Sequence, residues 1–385
     1  MNTNILNKEI QDFINANLKT DLTKLILKGC PFKEISIQEI AAQIVAKNKS
    51  QNKLPTWFRT ENIYYPNKLN IEQTSSEITA QYKSKLVFGN SLIDITGGFG
   101  VDAFYLSQKV KNITHCEINE ELSKIVSHNY QQLNAQNINT LVGDGIEFLK
   151  NYIEKIDWIY SDPSRRNDAK GKVFLLEDCL PNIPENLDLL FKKTDNILIK
   201  ISPILDITSA INELKFVKEI HVVAIENEVK ELLFLLEKNW NQSISIQTIN
   251  FNKTNNQVFK LDLGEQVSAT YSEPKKYIYE PNAAILKAGA FQQVSNHLKI
   301  AKLHQHSHLY TSENLIEFPG RCFEIKNCIS YDKKQLKKLI PSKKANITTR
   351  NFPESVEQIR KKTGLKDGGN QYVFFTTDIN NKHIV

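Results

Sequence analysis

Gly97, Gly98 and Gly100 crowd together just behind an apolar run that ends on a carboxylate, Asp94. Leu92, Ile93 and Ile95 read as a buried strand, and the residues after Gly100 as an amphipathic helix. A strand that breaks into glycines before a helix lets a ligand approach the backbone where a side chain would block it. The acid in the strand then selects the ligand by charge. A dinucleotide pyrophosphate is repelled by a carboxylate there, whereas a ligand carrying an ammonium and a sulfonium is attracted. S-adenosylmethionine (SAM) is such a ligand, and Asp94, Thr96, Gly97, Gly98, Gly100 and Asp102 are its first candidate contacts.

Gly98, Gly100 and Ala103 also satisfy the Gly-x-Gly-x-x-Gly/Ala dinucleotide fingerprint, so the segments that follow decide. Ile113–Glu117 reads as a second strand whose terminal acid suits ribose hydroxyls, with Ile118 beside it in the candidate cofactor set. After a helix at about Glu120–Asn134, Thr140–Asp144 reads as a third strand, ending in an acid followed by Gly145. A nicotinamide enzyme has no special need for that carboxylate; a methyltransferase uses one to accept from the adenine amine. Asp157–Asp162 reads as a fourth strand, ending in Asp162-Pro163-Ser164-Arg165-Arg166. Ligands of open α/β sheets bind at the carboxyl ends of strands, so Asp94, Glu117, Asp144 and Asp162 are expected in one crevice. Glu117 and Asp144 also precede helical segments and suit helix N-caps. The ordered series favours SAM as cofactor.

Composition points to a soluble cytoplasmic protein. No apolar run approaches the roughly 18 residues that span a bilayer, and the start, Met1-Asn-Thr-Asn-Ile-Leu, lacks the features of a signal peptide. The five cysteines show no Cys-x-x-Cys pairing, which predicts neither a disulfide framework nor structural zinc. His304, His306 and His308 alternate and would share a face only if they formed a strand; no carboxylate or thiol partner stands nearby, and no metal is expected.

Charge is uneven along the chain. Residues 271–385 hold 19 Lys and Arg against 10 Asp and Glu, whereas residues 1–270 hold 30 against 33. A basic region behind a slightly acidic one suggests a polyanion-binding module. Lys333, Lys334, Lys337, Lys338, Lys343 and Lys344 cluster there, and a plain solvated lysine face is the competing reading. Arg321, Arg350 and Arg360 are scarcer and better suited to bidentate phosphate contacts.

Periodicity and punctuation predict the organisation. Residues 1–85 read as helical, with apolar spacing in Ile5–Leu18, Leu22–Lys28 and Ile37–Ala46 and an aromatic patch at Trp57-Phe58 and Tyr64-Tyr65. Thr74–Glu77 reads as a capping box that starts a helix to about Val87. Its neighbourhood, with Gln73 and Ser76, is expected over the methionine end of SAM. Beyond Asp162, strands are predicted at Asn196–Ile201, Ile220–Glu226, Ile244–Phe251 and Val258–Leu263, with helices at Leu205–Leu214 and Val229–Lys238. Residues 86–270 therefore form an α/β, Rossmann-like domain with a mainly parallel sheet. After Ser272-Glu-Pro274 come a helix at Ala283–Ala290 and strand-like runs at Leu315–Phe318, Cys322–Ile325 and Tyr372–Thr376, a small α+β region.

The combination of Glu72-Gln-Thr-Ser-Ser-Glu77, Asp94-Ile-Thr-Gly-Gly-Phe-Gly-Val-Asp102, Asp162-Pro-Ser-Arg-Arg166 and Phe318-Pro-Gly-Arg321 resembles a bacterial group of class I SAM-dependent methyltransferases. These carry a small ferredoxin-like domain and a THUMP-like domain at the C-terminus. Asn282–Ala288, Ser307–Thr311 and Arg350–Pro353 resemble stretches of the same C-terminal domains. The resemblance implies a class I methyltransferase sheet, a ferredoxin-like domain over residues 271–314 and a THUMP-like domain over residues 315–385. By analogy with true THUMP domains it implies an RNA substrate, tRNA or rRNA, with Arg166, Arg321 and Arg350 as candidate contacts.

Methyl transfer from a sulfonium is an in-line displacement that needs positioning and an exit for one proton. Asp162, Pro163, Ser164 and Arg165 are the candidate catalytic residues, Asp162 orienting an acceptor nitrogen. Amine methyltransferases of the Asp/Asn-Pro-Pro-aromatic type place a stacking ring where this chain has Ser164 and Arg165, which argues against N6-adenine-type methylation. Arg165 offers a planar cation instead. Cys179 reads as a buried thiol rather than a nucleophile. The alternatives are a methyltransferase for a protein or small molecule, and a catalytically inactive SAM- or RNA-binding protein.

Overall fold

The computed structural model describes residues 1–165 and 175–385, Arg165 by its backbone only. Two compact units emerge, residues 1–218 with 233–241, and residues 219–232 with 242–385. Among the described residues no helix is long and apolar enough to cross a membrane.

The first unit begins with helices Lys8–Ala16, Leu22–Lys28 and Ile37–Lys53. Ile10, Ile14, Leu25, Ile40 and Ile44 fall on their buried sides, as the helical spacing requires. The aromatic patch is core: Trp57 packs edge-on against Phe104 at 5.0 Å, and the Tyr65 hydroxyl donates to the Trp57 carbonyl at 2.9 Å. The capping box expected over Thr74–Glu77 is absent. Ser76 is the N-cap of helix Glu77–Ser84, its hydroxyl accepting from the Thr79 N–H at 3.3 Å. The Glu77 carboxylate is drawn elsewhere, accepting from the hydroxyls of Thr56 (2.9 Å) and Tyr105 (2.8 Å).

Five parallel strands follow: β1 (Gly89–Asp94), β2 (Val110–Glu117), β3 (Ile138–Val142), β4 (Ile156–Ser161) and β5 (Thr194–Ile201). They lie in the order β5-β4-β1-β2-β3. Ile159 in β4 and Ile197, Leu198 and Ile199 in β5 are fully buried, as expected for a parallel sheet covered on both faces. Helices Val101–Leu106, Glu120–Gln132, Gly145–Asn151 and Ile183–Lys193 lie between the strands in sequence. The chain runs from β1 outward through β2 and β3, then resumes on the other side of β1 with β4. That reversal opens a crevice at the carboxyl ends of β1 and β4, where open α/β sheets bind ligands. The sheet is the predicted Rossmann-like one.

In the second unit, β6 (Val217–Ile225, from Glu219 onward) pairs in parallel with Ser245–Phe251, which pairs antiparallel with Asn256–Asp262. The helix predicted at Val229–Lys238 is instead a strand, β7 (Glu228–Glu237), whose residues are divided between the two units. Glu226 and Asn227 explain it: both have positive φ, 48° and 65°, the backbone of a two-residue hairpin turn. The continuous run Leu232–Leu236 is buried and carries no period to separate strand from helix.

A four-stranded sheet follows, with Tyr277–Pro281 between Tyr310–Ser312 and Gly320–Glu324, and Ala301–Lys302 at its edge. Leu315–Phe318, read as strand-like, is irregular, and the strand starts only after Pro319. A Cβ on Gly320 would come within 2.1 Å of the Glu280 carbonyl, so a bare backbone is needed where this strand meets its neighbour. His304, His306 and His308 do not form a strand, and no metal-binding cluster exists among the described residues. Last come helices Lys333–Leu339 and Val356–Thr363 and a second sheet built on Asn346–Arg350 and Tyr372–Thr377. Leu336, Ile340, Ala345, Ile359, Leu365 and Phe375 form its core.

Candidate cofactor and acceptor site

The carboxyl ends of β1, β2 and β4 meet around the glycine loop. Asp94 aligns with His115 of β2 and with Tyr160 of β4. Its side chain is 1% exposed, and its partners are the Thr96 N–H (3.0 Å) and hydroxyl (3.3 Å), both donating to Oδ1. Burial pushes its carboxyl up to about 8; the Thr96 amide opposes the shift, and the charges of Asp102 and Asp162 add to it. An acid kept protonated by burial is poised to ionise against an incoming cation.

Each loop glycine has a reason to lack a side chain. A Cβ at Gly97 would lie 2.3 Å from the buried His115 ring, which burial holds neutral with a pKa of about 4. Gly100 has φ 76° and caps helix Val101–Leu106; a Cβ there would lie 2.2 Å from the Tyr130 hydroxyl, which donates to the Gly100 carbonyl at 3.0 Å. Gly145 would place a Cβ 2.6 Å from the backbone of Ile95. Gly100→Ala is expected to cost roughly 2–4 kcal/mol from overpacking and backbone strain together. A melting midpoint within about 1 °C of wild type would contradict it.

The acids divide by role. Glu117 ties the loop to β2: Oε2 accepts from the Gly98 N–H and Oε1 from the Asn119 N–H, both at 2.7 Å. Asn119, not Glu117, caps the next helix. Asp144 does act as an N-cap, Oδ1 accepting from the Ile146 N–H at 2.7 Å and the Glu147 N–H at 3.2 Å. Ile118 stands 73% exposed beside Glu117, an apolar surface open to a flat ligand. Gln73 is exposed at the end of helix Lys68–Gln73.

Asp102 gathers residues that the sequence reading missed. Its Oδ2 accepts from the hydroxyls of Ser75 (2.7 Å) and Tyr160 (2.8 Å), and its Oδ1 lies 3.2 Å from the Lys83 ammonium. Lys83 is fully buried. Burial alone would raise the Asp102 carboxyl, but Lys83 and Lys200, then Ser75 and Tyr160, hold it below the ordinary value. Asp94 and Asp102 are thus pushed in opposite directions inside one site. Lys83 stands on the buried side of helix Glu77–Ser84, and Ser75 lies just ahead of that helix.

Asp162 follows β4 and its N–H donates to the Thr96 hydroxyl at 2.6 Å, linking acceptor strand to cofactor loop. Its Oδ2 forms an ion pair with Lys200 of β5, which the sequence reading also missed. Ser161 is in register with Ile199, so the next residues along each strand, Asp162 and Lys200, come side by side. The legible sign was a lone charge in the apolar run Asn196–Ile201. Pro163 is buried and Ser164 exposed; Ser164 and Arg165 pair with Leu180 and Cys179 in a short antiparallel ladder. Cys179 is buried. Arg166 lies outside the described residues.

In the second unit, Arg321 and Arg350 converge on one carboxylate. Glu280, 5% exposed, accepts from Arg321 Nε at 2.9 Å and from Arg350 at 2.9 Å. Together the three carry a single net positive charge. Arg360 is engaged by Asp367 and by the carbonyls of Ala345 and Leu365. The six clustered lysines are all exposed.

Residues 277–319 match the family model of a ferredoxin-like domain and residues 320–385 that of a THUMP domain-like family. A candidate methyltransferase of known crystal structure, from Porphyromonas gingivalis W83, is 33% identical, covering 99% of this chain and 97% of its own, with a TM-score of 0.88. The chain belongs to the same family, class I methyltransferases with C-terminal ferredoxin-like and THUMP-like domains. Weaker likenesses include TrmK of M. capricolum in complex with SAH (20% identity, 46% of this chain and 70% of that one, TM-score 0.32). An rRNA methylase from Streptococcus thermophilus matches at 16% identity, 42% and 94% coverage and a TM-score of 0.31. No curated protein matches the chain.

Proposed function

We propose that the protein is a SAM-dependent methyltransferase acting on a base nitrogen of tRNA or rRNA. The observation that carries the reading is Asp94: an acid 1% exposed, with a raised pKa, beneath a loop in which Gly98, with nothing nearer to a Cβ than the Thr96 carbonyl at 3.8 Å, leaves the backbone open. The residues present fit a cationic cofactor and would be poor hosts for a pyrophosphate. Asp94 and the Thr96–Gly100 loop would hold its amino-acid end, with Gln73, Ser76 and Asp102 alongside. Glu117 would take the ribose hydroxyls, and Ile118, Asp144 and Gly145 would border the adenine. SAM supplies an electrophilic methyl group.

Asp162 would accept a hydrogen bond from the acceptor nitrogen through the oxygen not engaged by Lys200, turning the nitrogen's lone pair toward the methyl group. Pro163 and Ser164 would shape the acceptor pocket, and Arg165 would stack on or clamp the substrate. RNA is favoured as substrate by the exposed lysines Lys333, Lys334, Lys337, Lys338, Lys343 and Lys344. Arg166, Arg321 and Arg350 would add phosphate contacts, although Glu280 already neutralises one of the last two.

Tritium transfer from labelled SAM to total RNA and to soluble protein, both from a strain lacking the gene, tests the reading. Label in RNA is the expected result. Label confined to protein would replace RNA with a protein acceptor, and SAM binding without transfer to either would overturn the RNA enzyme.

A further inference from the structure

A cavity of about 520 Å³ opens in the second unit, at the junction of strand Gly320–Glu324 with the C-terminal sheet. Three aromatic rings, Phe323, Tyr372 and Phe374, stand on a lining that is otherwise largely aliphatic. Phe323 packs against Tyr372 at 4.6 Å between ring centroids and against Phe374 at 5.2 Å. The Arg321 guanidinium lies 5.5 Å from the centroids of both Phe323 and Tyr372, leaving a planar cation over planar rings. Two exposed amide side chains, Asn370 and Gln371, stand on the lining and offer donors and acceptors side by side. Another wall is helix Lys333–Leu339, which turns Leu336 and Leu339 inward. The same helix carries Lys333, Lys334, Lys337 and Lys338, all exposed.

An aliphatic ligand would need none of the amides, and a free anion none of the rings. A nucleobase uses both: its faces stack on aromatic side chains and guanidinium planes, and its edge reads amides. Phosphates on either side of it would meet the lysines of the same helix. The volume exceeds that of one base, as expected of small-molecule pockets in the range of roughly 300–1,000 Å³. We infer that this cavity receives one unstacked base of single-stranded RNA, a site separate from the methyl-transfer chemistry. The inference rests on the RNA reading for its partner, but its own evidence is the lining.

The experiment measures binding of the full chain to a fluorescent 12-nucleotide single-stranded RNA and to the same strand as a duplex, over a series of salt concentrations. Tyr372→Ala removes a ring that is 45% exposed, and Tyr372→Phe restores it. The alanine variant is expected to bind the single strand roughly 5- to 100-fold more weakly, with an unchanged salt slope. Tyr372→Phe should bind as wild type, and the duplex should be insensitive to either change. Lys337→Gln with Lys338→Gln should instead flatten the salt slope. Equal loss on the duplex, or no loss for Tyr372→Ala, would overturn the base site while leaving an RNA methyltransferase in place if tritium still enters RNA. Ring-dependent binding without methyl transfer to RNA would keep the base site and overturn the proposed reaction. No binding of either RNA would overturn the base site outright.

Discussion

Replacing Asp162 by alanine is expected to lower methyl transfer by about 10²- to 10³-fold while leaving the affinity for SAM within about threefold of wild type. The separation follows from position. Asp162 stands beyond the end of β4, and its hydrogen bond to the cofactor loop runs through its backbone N–H, which donates to Thr96. Its carboxylate reaches Asp94 only as a charge, with less effect than burial, the Thr96 amide and Asp102. The alanine variant keeps that N–H, so the loop keeps its link. What it loses is the carboxylate that faces Lys200. Lys200→Met is the companion change. It leaves Asp162 present but releases it from the lysine that fixes its orientation, and a loss of about 10-fold or more in transfer rate is expected. Lys200 also helps to hold the Asp102 carboxyl ionised, so the methionine variant should move the pH profile of transfer as well. A residue with only a structural part would lower the rate without moving that profile. Single-turnover transfer of labelled methyl to the acceptor pool, beside calorimetric titration with SAM, measures both quantities. If Asp162→Ala transfers methyl at the wild-type rate, the acceptor site lies elsewhere.

The fold was legible wherever a short-range pattern had a single physical solution. Strands β1 to β5, the acids at or just past the ends of the first four, and the helices after Gly100 and at about Glu120–Asn134 follow from alternating apolar runs and glycine breaks. Position Val229–Lys238 had two solutions. A run of buried leucines suits either element, and the decision came from two consecutive positive-φ residues, Glu226 and Asn227. Asn-containing hairpin turns are recognisable, but a Glu at the first turn position disguised this one. Around the site, residues near the glycine loop were legible because the loop marks them. Ser75, Lys83, Tyr160 and Lys200 were not, because each acquires its part only through a partner elsewhere: Asp102 for the first three, Asp162 for the last. Lys200, a lone charge in an apolar run, was the available clue, since a buried lysine needs a carboxylate. The arginine contacts show the reverse. Scarcity singled out Arg321 and Arg350, yet their shared acceptor, Glu280, lies far away in sequence.

Asp94→Asn is expected to weaken SAM binding and to stabilise the protein, two effects that oppose each other through the same proton. In the folded chain without ligand, burial holds the Asp94 carboxyl at a pKa of about 8, against an ordinary value of 3.8. Between those two values the folded state binds a proton that the unfolded state has released. Folding stability therefore declines as pH rises from about 4 to about 8, and declines no further above that. Asparagine has no proton to lose, so the variant should escape this decline and melt higher than wild type at pH 8, with the gap closing toward pH 4. Ligand binding runs the other way. A cation beside Asp94 favours the ionised form, so binding releases a proton, and wild-type affinity should rise by up to about tenfold per pH unit between pH 5.5 and 7. That interval lies below the ordinary α-amino range of roughly 7.7–8.0, so the cofactor's own ammonium stays charged throughout. In the asparagine variant the affinity should lose this slope and stand roughly 10- to 150-fold lower at pH 7.5, the span set by losing a hydrogen bond to a charged group. Melting curves and calorimetric titrations across the pH series read the two effects separately. A variant that binds SAM as wild type does would place the cofactor's charge away from Asp94, and one that melts lower at pH 8 would overturn the raised, buried carboxyl.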